Sequence, residues 1–132
     1  MSDKAKRAKL ILAFDPGRKK TGVAIGNSLT GSARPLATVA GKLDCQLREA
    51  GELCAKWQPQ LLIIGRPGPQ SPGSDRYCTR FARGLHELTG IEYRFADEYL
   101  TSQLARSAAA KNESVDALAA CLLAQDWLAN PD

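Results

Sequence analysis

Three carboxylates of this chain fall where elements begin or end. Asp15 closes the apolar run LILAFD, Glu98 closes IEYRFADE, and Asp116 opens a final helical run, VDALAACLLAQDWL. Carboxylates crowded together repel one another, and hydrated divalent cations relieve that repulsion. A set of oxygen donors without His or Cys suits hard ions such as Mg²⁺ or Mn²⁺. Two such ions about 4 Å apart would fit between acids carried on two strands and would support metal-assisted hydrolysis. Each acid also has a purely structural role open to it. Asp15 begins Asp-Pro-Gly, in which the carboxylate can hydrogen-bond the backbone two residues on, Pro16 presets φ, and Gly17 supplies the positive φ of a type II turn. Glu98 can terminate an edge strand, and Asp116 is favoured in a first helical turn by the helix dipole.

The elements that must position these acids form one mixed sheet. Leu10 to Phe14 is continuously apolar, and Thr21 to Asn27 pairs back on it across DPGRKK. In that second strand Val23 and Ile25 face one way while Gly22, Ala24 and Gly26 face the other, so one side is bulky and one almost bare. Arg34 to Val39 adds a third antiparallel strand. Leu43, Leu47, Ala50, Cys54 and Trp57 recur at helical spacing, and LLIIG, Leu61 to Gly65, has the pattern of a central parallel strand buried on both faces. Beyond the loop RPGPQSPGS, the residues Cys78, Phe81, Ala82, Leu85 and Leu88 form the stripe of a second helix, and IEYRFADE alternates as an outer strand. Helices over Thr101 to Ala110, with Thr101 as N-cap, and Val115 to Leu128, capped by Ser114 or Asn112, close the chain. The order predicts an α/β fold: a five-stranded mixed sheet, three antiparallel strands plus two parallel strands, with helices on both faces. The functional edge of such a sheet lies beyond the carboxyl ends of its parallel strands. With LLIIG between the first and last strands, Asp15 and Glu98 stand two strand spacings, roughly 10 Å, apart, across a strand that ends in Gly65.

At 132 residues the chain holds one core, which argues against a cleft between two large lobes. The expected organisation is a basic arm over 1–9 and a single domain over 10–130. Net charge is +4, and Lys4, Lys6, Arg7 and Lys9 against Asp3 supply three of those charges, so charge permits a polyanionic partner without demanding one. Cys45, Cys54, Cys78 and Cys121 make no CxxC pair, which speaks against a zinc knuckle or a disulfide framework. Neither a signal peptide nor a membrane-spanning run is expected from the basic arm and the short apolar runs. A soluble cytoplasmic protein with no membrane partner is expected.

Arg18, Lys19 and Lys20 follow Asp15 directly, Arg34 opens the third strand, and Lys111 precedes the last helix. These cations could fix phosphates, positioning a nucleic-acid strand without reading its bases; turn lysines also serve solubility. Arg76, Arg80 and Arg83 flank the second helix opposite its stripe, where a solvated face is expected. His86 has no evident partner and is expected on a helix surface.

FDPGRKKTGVAIGN, SARPL, LLIIGRP, ADEYLTS and KNESVDALAACLLAQDWL, in that order and at similar spacing, resemble the bacterial YqgF/RuvX family over nearly the whole chain after the arm. The resemblance implies an RNase H-like fold and a nuclease: one acting in pre-16S rRNA processing, or a Holliday junction resolvase. By motif, Asp15 matches the acid of the family's F-D-x-G turn, Glu98 the Glu of its D-E-R, and Asp116 the Asp of its final helix. The implied reaction is phosphodiester hydrolysis with two Mg²⁺ or Mn²⁺ ions held by Asp15, Glu98 and Asp116, leaving a 5′-phosphate and a 3′-hydroxyl. Two departures stand out: Tyr99 replaces the Arg of D-E-R, and the loop after IIGRP carries Pro and Gly in place of Asp-Gly. The expected partner is nucleic acid, RNA ahead of DNA, with the protein a monomer or weak homodimer. A RuvC-like resolvase, which needs a dimer to cut two strands symmetrically, is the alternative enzyme. A nucleic-acid-binding module without catalysis is the alternative from another class.

Overall fold

The computed structural model describes residues 9–68, 70–97 and 115–129. The arm over 1–8, the helix expected over Thr101 to Ala110 and the caps Asn112 and Ser114 lie outside the described residues. Within them the chain runs β1 (Leu10–Asp15), β2 (Lys20–Asn27), β3 (Ser32–Ala40), α1 (Leu43–Trp57), β4 (Leu61–Arg66), α2 (Pro72–Thr89), β5 (Tyr93–Asp97) and α3 (Val115–Ala129). The five strands form one sheet in the order β3-β2-β1-β4-β5. β1 is antiparallel to β2 and β2 to β3, whereas β1, β4 and β5 run parallel. The expected mixed sheet is therefore the one observed, with β4 between β1 and β5. β4 extends one residue past Gly65, because Arg66 continues the ladder opposite Asp97.

The continuous apolar runs of β1 and β4 are explained by cover on both faces. Leu12, Phe14, Leu62 and Ile64 point to α1 and α2, where Ala50, Cys54, Phe81 and Leu85 complete a fully or nearly buried layer. Ile11, Ala13, Leu61 and Ile63 point the other way, to Leu123 and Ala124 of α3. The bare side of β2 is the reason α3 can approach so closely. Ala24 packs on Ala120 and Cys121, and a Cβ on Gly26 would lie 3.1 Å from Ile11 Cγ1 and Leu128 Cδ1. β3 tolerates Pro35 because it is an edge strand, with its register shifting opposite Val23 and Ala24. Ala24→Leu should force α3 off the sheet. The expected cost is about 1–3 kcal/mol for overpacking, read as a lower thermal midpoint; an unchanged midpoint would contradict this close approach.

Local chemistry sets the helix ends. α2 stops at Gly90, whose φ of 72° is left-handed and whose N–H donates to His86 O at 2.7 Å. His86 is exposed, yet it has the partner its sequence context hid: Nδ1 lies 2.8 Å from Ile91 O, and the ring meets Tyr93 edge-on. The four cysteines are free thiols, and among the described residues no helix is long and apolar enough to cross a membrane.

Candidate active site

Asp15 ends β1 opposite Gly22 of β2. Alternation from Ile11 and Ala13 puts its side chain on the sheet face covered by α3. The direction of α3 follows from two contacts. Leu128 sits at Gly26, level with Ile11, whereas Ala120 and Cys121 sit at Ala24, level with Ala13. The helix thus runs antiparallel to β1, and residues before Ala120 advance toward the end that carries Asp15. Asp97 ends β5, paired with Arg66, and Glu98, the next residue, lies outside the described residues, as do Tyr99 and Lys111. Among the described residues no group of three His, Cys, Asp or Glu side chains is gathered.

The turn after Asp15 is clamped from beneath by a buried polar network. Gly17 N–H donates to Thr21 Oγ1 at 3.1 Å, and the Thr21 hydroxyl donates to Gln46 Oε1. Gln46 Nε2 donates in turn to Gly17 O at 2.9 Å and to Gly41 O at 3.1 Å. Thr21 and Gln46 are both fully buried, and buried polar groups must be paired to be tolerated. Gly17 is not among the residues at positive φ. It is a glycine for another reason: a Cβ there would fall 2.5 Å from the backbone oxygen of Lys20. Neither Thr21 nor Gln46 was singled out in the sequence, although a Gln at a buried helical position between Leu43 and Ala50 is the available signal. Gln46→Leu should strand the Thr21 hydroxyl and the Gly17 carbonyl, at about 1–3 kcal/mol; a denaturation midpoint equal to that of the unaltered protein would refute the clamp.

Arg18, Lys19 and Lys20 are exposed beyond Asp15. Arg34 is not with them. It pairs with Ile25, which pairs with Leu12, three residues or roughly 10 Å short of Asp15, and its guanidinium lies 5.7 Å from the Trp57 ring centroid. A cation that sequence reasoning missed stands at the edge instead. Arg66 ends the central parallel strand, with its guanidinium 4.5 Å from the Phe95 ring centroid and Nε 3.9 Å from Asp75 Oδ1. Arg76, Arg80 and Arg83 are exposed along α2 as expected. Tyr77 in the first turns of α2 has its phenol pushed up, first by burial and then by the neighbouring Cys78, against the opposing charges of Arg18 and Arg80.

The donor chemistry at this edge fits a hard cation. Asp15 offers oxygen there, and two buried thiols are held protonated at neutral pH: burial pushes Cys54 up to about 11 and raises Cys121 as well.

Residues 9–130 match the RuvX family, described as Holliday junction resolvase. The chain belongs to the RuvX family. Its nuclease identity follows from that membership, and curated relatives agree in kind. A Bordetella pertussis protein named "Putative pre-16S rRNA nuclease" is 37% identical over 123 residues, 89% of this chain and 92% of that protein. One of the same name from Dechloromonas aromatica is 34% identical over 134 residues, covering 92% and 91%. Among solved structures, T. thermophilus RuvC in complex with Holliday junction substrate superposes with a TM-score of 0.58 at 13% identity, covering 93% of this RuvX chain and 96% of that one. The fowlpox virus Holliday junction resolvase gives 0.59 at 14% identity, covering 91% and 98%. These likenesses establish the RNase H-like resolvase fold.

Proposed function

We propose that this RuvX protein is a divalent-metal-dependent nuclease of the cytoplasm, acting on ribosomal RNA precursors, with Asp15, Glu98 and Asp116 as its acidic site. What supports the reading is that two acids from distant parts of the chain belong to elements directed at one end of the sheet: Asp15 ends β1, and α3, whose second residue is Asp116, packs on that sheet face with its start toward the same end. Glu98 follows the carboxyl end of β5, two strands away across β4. A divalent cation pair, bound by these three acids, supplies Lewis acidity that makes water a better nucleophile and offsets charge on the departing 3′ oxygen.

The protein's own groups supply the rest. The Thr21–Gln46 clamp holds the Asp15 turn rigid against Gly41, which directly follows β3, so the carboxylate is oriented before substrate arrives. Arg18, Lys19, Lys20 and Lys111 hold phosphates and position the strand, whereas Arg34 reaches only a phosphate distant from Asp15. RNA is favoured as substrate, and a monomer suffices because trimming one strand needs one site.

The test is a cleavage assay on matched single-stranded RNA, single-stranded DNA and four-way junctions with Mn²⁺, Mg²⁺ or EDTA. The expected result is metal-dependent cutting of RNA with 5′-phosphate products. Symmetric cutting of junctions by a dimer would favour the RuvC-like resolvase. Binding without metal-dependent cutting of any substrate would leave a non-catalytic module.

A further inference from the structure

The edge that carries Asp15 is two-sided. Asp15 belongs to the face of Ile11 and Ala13 under α3, but Arg66, two residues past Ile64, belongs to the opposite face, over Phe95 and beside Asp75 of α2. Arg18, thrown out by the turn after Asp15, bends to this same opposite face: its Nη2 lies 3.1 Å from where a Cβ on Gly73 would sit. Gly73 and Asp75 are two residues apart in the first turn of α2, so two guanidiniums, one from the β1–β2 turn and one from the end of β4, converge on one helical turn. Arg66 remains reachable from solvent, with 45% of its side chain exposed, and Arg18 is exposed. Stacking on Phe95 holds the Arg66 guanidinium at the sheet edge. Asp75 is the carboxylate beside it, and that carboxylate also accepts the Gly68 amide at 3.2 Å.

We propose that Arg18 and Arg66 form a clasp for a backbone phosphate of the substrate strand on the α2 side of the sheet edge, so that the strand crosses the edge from the acids on the α3 side to the arginines on the α2 side. The clasp rests on the nuclease reading for its substrate, and it assigns that substrate a direction. Two guanidiniums from different segments suit one phosphodiester because each presents a planar fork of donors to its oxygens. Such a contact is independent of base identity, as expected of a protein that positions a strand by its backbone.

The experiment uses the full chain carrying Asp15→Asn, so that binding is read without cutting, and a 2′-O-methyl RNA 12-mer in which single linkages are replaced in turn by neutral methylphosphonates. Arg18→Ala and Arg66→Ala should each weaken binding about tenfold, and the salt dependence should flatten by about 0.7 for the phosphate lost. Arg48→Ala, which removes an equal charge from the exposed face of α1, should change affinity less than twofold. The parent should lose affinity when one particular linkage is neutralised, and the Arg18→Ala/Arg66→Ala protein should be indifferent at that linkage alone. A double variant with the parent's full linkage profile, or an Arg48→Ala loss as large as theirs, would overturn the clasp. Absence of metal-dependent cutting by the unaltered protein would instead overturn the nuclease reading and leave the linkage profile intact.

Discussion

Asp15→Asn is expected to abolish metal-dependent cleavage while leaving the fold in place. The substitution keeps size and turn-forming capacity, since Asn serves a turn as Asp does, and the Thr21–Gln46 clamp beneath the turn does not use the carboxylate. What it removes is a formal charge from the acidic edge. Losing a group that only orients a metal ligand costs about 10–100-fold, so losing a ligand's own charge should cost on the order of 10³-fold or more. Two measurements check this: single-turnover cleavage with Mn²⁺, and thermal melting with and without the metal. The unaltered protein should melt higher in millimolar Mn²⁺, because a ligand bound only to the folded state stabilises it, and the variant should lose most of that shift with its metal-free midpoint preserved. A variant, cleared of contaminating nuclease, that cuts at the parental rate would reduce Asp15 to a turn residue.

The largest stability effect is expected from Phe81→Ala. Phe81 is fully buried on α2, with its ring centroid 5.5 Å from that of Phe14, and Phe14 is the residue before Asp15. Truncation opens a cavity between the helix and the central strands, at about 3–5 kcal/mol. Against the 5–15 kcal/mol that holds an ordinary domain folded, that is a large share, and the midpoint should fall by more than about 10 °C. Because the cavity borders the strand that presents Asp15, the surviving folded protein should also cut more slowly well below its midpoint. A fall of only a few degrees would mean that the Phe14–Phe81 contact is not central to the core.

Much of this RuvX protein was determined by local sequence. The apolar runs of β1 and β4, the bulky and bare sides of β2 and the stripes of α1 and α2 each lie within one element, where a period of two or 3.6 residues states which face will be covered. Asp15 at the end of such a run was legible for the same reason. The direction of α3, with its start toward the end of the sheet that carries Asp15, depended on contacts between residues about a hundred positions apart, Ala24 with Ala120 and Gly26 with Leu128. Periodicity carries no information about register between elements, and only packing sets it. That is also why Gly17 proved to be a glycine for space and not for φ, and why Gln46 beneath the turn and the Ile91 carbonyl beside His86 went unseen. The cations show the division most plainly. Arg18 and Arg34 look alike in sequence, yet the twist and pairing of the sheet send one to the first turn of α2 and the other over Trp57. Arg66, one residue beyond an apparently finished strand, reaches the edge that carries Asp15 because the β4–β5 ladder runs one pair further than the apolar pattern does.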